Sequence, residues 1–170
     1  SFTGLRIGSA TAKGFALALE LPIISVPTLK AMAMNLLYTQ RLICPIMDAR
    51  RDQVYTAVYE SDGDELKEVL GQSAISITEL VDFLNERNKA VCFMGDGVVR
   101  FKDYIEDNLK ADYIFAKGHL NRQRAGSVGI LAAKMYKQGE VVSSDDFKPE
   151  YLRLSQAERE LKEKQAKSLE

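Results

Sequence analysis

A chain of 170 residues, 46% hydrophobic and 28% charged, can bury a core for one large or two small domains, and its composition excludes a disordered polymer. A formal net charge of −1 excludes a global pull toward nucleic acid or an acidic membrane, but not a local basic patch. No apolar run is long enough to span a bilayer, and the expected compartment is the cytoplasm.

Residues 1–20 are expected to form a helix with almost no solvent-facing side. After residue 4 its only charges are Arg6, Lys13 and Glu20, at i, i+7 and i+14. That spacing keeps them on one narrow line, drifting by only ~20° per heptad. The rest of the circumference is Leu5, Ile7, Phe15, Leu17, Leu19 and small residues, so the helix needs cover on more than one side. Two rows, Gly4/Gly8/Ala12/Ala16 and Ala10/Gly14/Ala18, would let other backbones approach closely, one row on the protein's own sheet and the other on a second helix or subunit. An interior Gly costs about 1 kcal/mol against Ala, so Gly8 and Gly14 call for a packing reason.

Residues 22–26 form a short β-branched run read as a buried strand, and Thr28 is the expected N-cap of a helix through Leu37. The pattern turns polar at residues 38–41, where a domain boundary is expected. This gives residues 1–40 as the remainder of a first half-domain, 41–142 as a second, and 143–170 as a C-terminal segment. In the second unit, residues 43–48 read as a strand. Residues 54–60 alternate Val54, Thr56, Val58 against Tyr55, Ala57, Tyr59 and make another. Ser61-Asp62-Gly63-Asp64 is a hairpin turn into a third strand over 65–75. A helix is expected from Thr78 to about Asn88, and a buried strand over 90–94. Gly95-Asp96-Gly97 breaks that strand before an amphipathic helix over 98–109. A short strand over 113–116 follows, then a helix over 127–137 closed by Gly139 at C′. The order implies an antiparallel meander extended by two parallel crossovers: a mixed sheet with helices outside. Ser155-Gln156-Ala157-Glu158 is a capping box opening a solvated helix with i,i+4 Glu–Lys pairs.

Catalytic motifs are sparse. The glycines near Lys13 lack the spacing and the following Ser/Thr of a phosphate loop. The single histidine, His119, cannot supply a two-histidine metal helix and reads as a surface-loop residue. Cys44 and Cys92 lie far apart in apolar runs and read as buried reduced thiols, with no sequence-evident His partner for a nucleophile. Gly95-Asp96-Gly97 could aim backbone N–H groups at an anion, but Asp96 places negative charge there, which favours a plain turn. Asp48-Ala49-Arg50-Arg51-Asp52 reads as a turn with self-compensating charges, or as a contact to a partner or an RNA. Arg122 and Arg124 near Lys117 form a small basic cluster.

Ser1-Phe2-Thr3-Gly4-Leu5-Arg6-Ile7-Gly8 resembles the S-F-T-G-L-R-x-G segment of the bacterial TsaB (YeaZ) family, whose members take part in making tRNA threonylcarbamoyladenosine. Residues 44–55, with Asp48-Ala49-Arg50-Arg51 and Val54-Tyr55, resemble its D-A-R-R-x-x-V-Y signature, and Leu21-Pro22-Ile23-Ile24, Gly95-Asp96-Gly97 and residues 149–153 fit as well. The resemblance implies an α/β fold made of ribonuclease H-like halves of the actin/hexokinase/Hsp70 superfamily, with the first half incomplete. The family segment opens with Gly-Pro-Gly ahead of this serine, so a truncated or proteolysed product is expected. Its apolar faces at 1–20 and 29–37 would be left bare, to be covered by self-association or a separate N-terminal fragment.

The implied function is a non-catalytic scaffold for the TsaD-type enzyme that transfers threonylcarbamoyl to the tRNA adenosine next to the anticodon. The implied partners are that paralog, an ATPase subunit of the same pathway, tRNA indirectly, and a second copy through the first helix; none is a membrane. No intrinsic cofactor or metal is expected, with ATP or ADP bound only within the complex. The interface role carries over to Thr3, Gly4, Leu5, Arg6, Gly8, Thr11, Lys13, Gly14 and Phe15. The alternatives are an ATPase or kinase-like enzyme of the same superfold and a metalloprotease.

Overall fold

The computed structural model describes residues 2–153, and the capping box and helix expected from Ser155 onward lie outside them. Five strands form one sheet in the order β3-β2-β1-β4-β5. Strands β1 (Leu42–Asp48), β2 (Gln53–Ser61) and β3 (Leu66–Ser76) are the expected meander, antiparallel throughout, with Asp48 opposite Val54 and Ser61 opposite Leu66. Strand β4 (Val91–Met94) runs parallel to β1 and β5 (Tyr113–Phe115) parallel to β4. Parallel neighbours need a crossover. The chain supplies helix α3 (Ile77–Arg87) before β4 and α4 (Gly97–Asn108) before β5.

The period of two along β1 and β2 sorts their side chains onto two faces. Leu42, Cys44, Ile46, Val54 and Val58 pack with Leu80, Val81 and Leu84 of α3 and with Phe101 and Ile105 of α4. On the other face Ile43, Ala57, Tyr59 and Met94 pack with Leu29, Met32 and Ala33 of a short helix α2 (Thr28–Ala33). Helix α5 (Ala125–Lys137) lies beside α2 and buries only Leu131 among its side chains. Among the described residues Thr56 is a fully buried polar residue of this core; its hydroxyl donates to the Pro45 carbonyl at 2.9 Å. A central strand seldom carries proline, because the ring removes a ladder donor. Here the Thr56 hydroxyl satisfies the carbonyl of the interrupted residue.

Several local expectations are corrected. Residues 22–26 form no strand: Ile23 makes a single bridge to Val142, with N–H···O distances of 2.8 and 2.9 Å, and no ladder extends it. Pro27, not Thr28, occupies the N-cap of α2, because its extended backbone (φ −63°, ψ 122°) leaves Thr28 already helical. That helix stops at Ala33 and tightens into a 3-10 turn, Met34–Leu36. Asn35 there turns outward to the loop after β5, donating to the carbonyls of Leu120 and Arg122 at 3.0 and 2.8 Å. Helix α3 begins at Ile77, one residue before the expected Thr78, and is capped by Ser76 in a capping box with Glu79. The apolar face expected to stand bare at 29–37 is covered, since Leu29, Met32 and Ala33 are buried against the sheet and Leu36 and Leu37 pack partly on it.

Gly95 joins β4 to α4 with φ +106°, and a Cβ there would stand 2.1 Å from the carbonyl oxygen of Ile46. The turn lies flat against β1 because it has no side chain. Gly95→Ala therefore combines backbone strain with a collision against main chain, and stability is expected to fall by about 3 kcal/mol, read as a lowered Tm. Wild-type melting would contradict the close approach.

Burial pushes the Cys44 thiol up to about 12, and Cys92, also buried, is raised for the same reason. Neither is expected to react with a disulfide reagent at pH 8 in the native protein, with both titrating once guanidinium unfolds it. Fast native labelling of either would overturn the assignment of both as structural thiols.

Candidate functional site

Helix α1 (Phe2–Leu19) forms as its sequence requires, and among the described residues it is the apolar side chains that stay exposed. Arg6, Ser9, Lys13 and Ala16 fall at i, i+3, i+7 and i+10, on one face of a helix. That mostly polar line is the side turned to the rest of the chain. Ser9 and Lys13 are half-buried, and Ala16, at 7% exposure, is the buried apolar residue of the helix. Arg6 Nε donates to the Tyr151 hydroxyl at 3.3 Å. Lys13 Nζ donates to the carbonyls of Asp145 and Phe147 at 3.3 and 3.4 Å. The helix is thus tied to the chain's C-terminal segment by its charges. Leu5, Ile7, Phe15, Leu17 and Leu19 are all exposed, Ile7 by 63% and Phe15 by 66%.

The nine residues of the motif divide accordingly. Thr3, Gly4, Leu5 and Phe15 lie exposed, and a Cβ on Gly8 or Gly14 would meet nothing within 4 Å. Arg6 and Lys13 engage the chain itself, and the Thr11 hydroxyl bonds back to the Ile7 carbonyl at 2.9 Å. The packing reason sought for the two glycines is not met by the described residues. Among the described residues Gly8 and Gly14 meet no neighbour, and the line of α1 turned to the chain is the one that carries Arg6 and Lys13. Ile7, Leu17 and Leu19, read from the sequence only as helix circumference, belong to the same exposed surface.

A second cluster forms where β1 ends. Arg50, Arg51 and Asp52 all have positive φ (66°, 53° and 57°), closing the β1–β2 hairpin in left-handed conformation, and the Asp48 carboxylate accepts from the Arg50 amide at 2.8 Å. Arg100, from α4, spans the hairpin. It pairs with Asp48 at 3.3 Å and with Asp52 at 3.0 Å, and the two carboxylates hold its guanidinium pKa above the usual value. The Arg153 guanidinium donates to the Ala49 carbonyl, joining the C-terminal segment to the same turn. Nothing local in the sequence pairs Arg100 with Asp48, so this junction was not legible.

The Gly95 amide, the first donor of the possible anion turn, is taken by the Asn121 side chain at 2.6 Å, which pins the loop after β5 over the end of β4. Cys44 and Cys92 are buried and His119 is exposed in that loop. Among the described residues no three His, Cys, Asp or Glu side chains gather where they could hold a metal ion. No described helix is long and apolar enough to cross a membrane.

The family model described as TsaD, tRNA N6-adenosine threonylcarbamoyltransferase, matches residues 1–161. The tRNA threonylcarbamoyladenosine biosynthesis protein TsaB of Bacillus subtilis is 33% identical over 158 residues, covering 93% of this chain and 67% of that protein. The protein of the same name from Escherichia coli is 29% identical over 165 residues, covering 95% and 70%. The solved structure of YeaZ from Pseudomonas aeruginosa shares the fold with a TM-score of 0.66 at 22% identity, over 89% of this chain and 70% of that one. A second structure, described as an uncharacterized protein with similarity to peptidase YEAZ from Pseudomonas aeruginosa, gives 0.69 at 21% identity, over 90% and 69%. With the D-A-R-R hairpin, the five-stranded mixed sheet and these relatives in agreement, the chain belongs to the TsaB (YeaZ) family, within the fold that the TsaD family model describes.

Proposed function

We propose that this protein is a non-catalytic partner subunit of a TsaD-type enzyme in tRNA threonylcarbamoyladenosine biosynthesis, acting in the cytoplasm. The observation that carries the reading is helix α1, whose charges hold its own chain while its large apolar side chains face outward. A contiguous apolar surface on a folded protein marks an interaction site. Open glycines on that surface let a second backbone approach closely, which suits helix-on-helix docking. The occupant is the TsaD-type paralog, or a second copy of this chain when the paralog is absent.

The chemistry agrees with a scaffold. Both thiols are buried and protonated, and the single histidine lies exposed on a loop. Nucleotide and the ATPase subunit enter through the assembly, not through a cofactor site of this chain.

Light scattering tests the reading. The protein alone is expected to be a homodimer that gives way to a one-to-one complex when the TsaD-type subunit is added. Phe15→Asp places a charge in the centre of the exposed face and should weaken both associations at least about tenfold, without lowering Tm, because the side chain is exposed. A monomer indifferent to the paralog would overturn the reading.

A further inference from the structure

The C-terminal ends of β1, β4 and β5 collect an unusual set of side chains. Six of the chain's ten arginines gather there, Arg50, Arg51, Arg122, Arg124 and Arg153 on loops and Arg100 in the first turns of α4, beside one of its thirteen lysines, Lys117. The acids beside them are Asp48 at the end of β1, Asp52, Asp96 and, on the segment of Arg153, Glu150. Arg100 engages the first two, at 3.3 and 3.0 Å. Arg50 reaches Asp48 only at 3.8 Å and is otherwise open to solvent. Arg51, Arg122 and Arg124 are exposed and have no ion-pair partner among the described residues. A chain of net charge −1 therefore carries a concentrated positive end.

The loops bearing these cations are held in place. Asn121 accepts from the Gly95 amide at 2.6 Å, Asn35 donates to the Arg122 carbonyl at 2.8 Å, and Gln123 Nε2 lies 3.7 Å from Met47 Sδ, next to Asp48. The backbone at Arg122, with Arg124 two residues on, is thereby held at the same end of the sheet as the Arg50–Arg51 hairpin. Fixed loops lose little entropy on binding.

We propose that this arginine-rich end of the sheet is a direct RNA surface, which binds the phosphate backbone of a tRNA. Guanidinium groups match phosphate with paired donors, and the preference for Arg over Lys at this end follows that geometry. The loops 49–52 and 116–124, and residues 95–100 of the turn and first turn of α4, carry no Phe, Tyr or Trp. They therefore lack the rings that stack bases and the aromatic anchors of a protein interface, and what remains is backbone contact. The choice of tRNA rests on the pathway role proposed above; the surface itself rests on the charge and the pinned loops.

The test is fluorescence anisotropy with a fluorescein-labelled tRNA transcript, titrated with the protein at several KCl concentrations. The triple variant Arg51→Ala, Arg122→Ala, Arg124→Ala should bind at least about tenfold more weakly. It should also lower the slope of log K against log salt by about two to three, one counterion-release increment per lost phosphate contact. Lys110→Ala, Lys137→Ala, Lys148→Ala removes the same charge from exposed positions elsewhere and should retain both affinity and slope. Equal loss in the two triples, unchanged binding in the first, or no salt-dependent binding by the wild type would overturn the proposal. Light scattering with the TsaD-type subunit separates the two readings. The arginine triple should still form the complex, and loss of the complex would reassign the surface to a protein partner. Phe15→Asp should lose the complex yet keep its tRNA affinity as an isolated chain.

Discussion

Strand β1 is the constraint on which the rest of this structure hangs. It is paired antiparallel to β2 on one side and parallel to β4 on the other, and both of its faces are covered. A strand in that position cannot alternate apolar with polar, which is why residues 42–46 read as a continuous apolar run. Burial on two faces also explains the cost of the turn that follows β4. For α4 to lie against the sheet, the chain must cross the end of β1 at Ile46 with no side chain in the way, and Gly95 supplies that crossing. The same crossing brings Arg100 over Asp48 and Asp52 and sets Asn121 against the Gly95 amide. One close backbone approach thus gathers three loops at one end of the sheet.

Helix α1 obeys different physics. It contributes almost nothing to the core, and the groups that fix it are a guanidinium and an ammonium reaching a hydroxyl and two carbonyls at the surface. Such exposed contacts contribute little individually. A helix with so many exposed apolar side chains and two open glycines is expensive as a free surface, and burying it against another helix returns roughly 25 cal/mol for each Å² removed from water.

The two surfaces are chemically distinct and lie on different elements. The apolar one belongs to α1 and suits a folded partner. The cationic one belongs to the loops beyond β1, β4 and β5 and suits a polyanion. Between them runs the C-terminal segment, in which Asp145, Phe147 and Tyr151 hold α1 while Arg153 reaches the Ala49 carbonyl. That segment links the two sites by direct hydrogen bonds, which the sequence marks only through the family match at residues 149–153.

Most elements and their order were legible in the residues alone, because those follow from short-range periodicity. The alternation of Val54, Thr56 and Val58 against Tyr55, Ala57 and Tyr59 places each residue on its observed face, and Gly139 ends α5 with φ +78° as a C′ glycine should. The sequence also marked the helix at 2–19 as too apolar to stand alone, and the S-F-T-G-L-R and D-A-R-R motifs pointed to the family. It misread residues 22–26, where β-branched composition resembles a strand but a strand needs a ladder beside it. Only the tertiary structure decided which side of α1 faces inward. Periodicity gives the relative angles of Arg6, Lys13 and Phe15, but not which of them the distant residues 145–151 will meet. The same holds for Arg100 with Asp48 and for Asn121 with Gly95. These contacts join residues far apart in the chain, and no local pattern records a pairing that exists only once the sheet has closed.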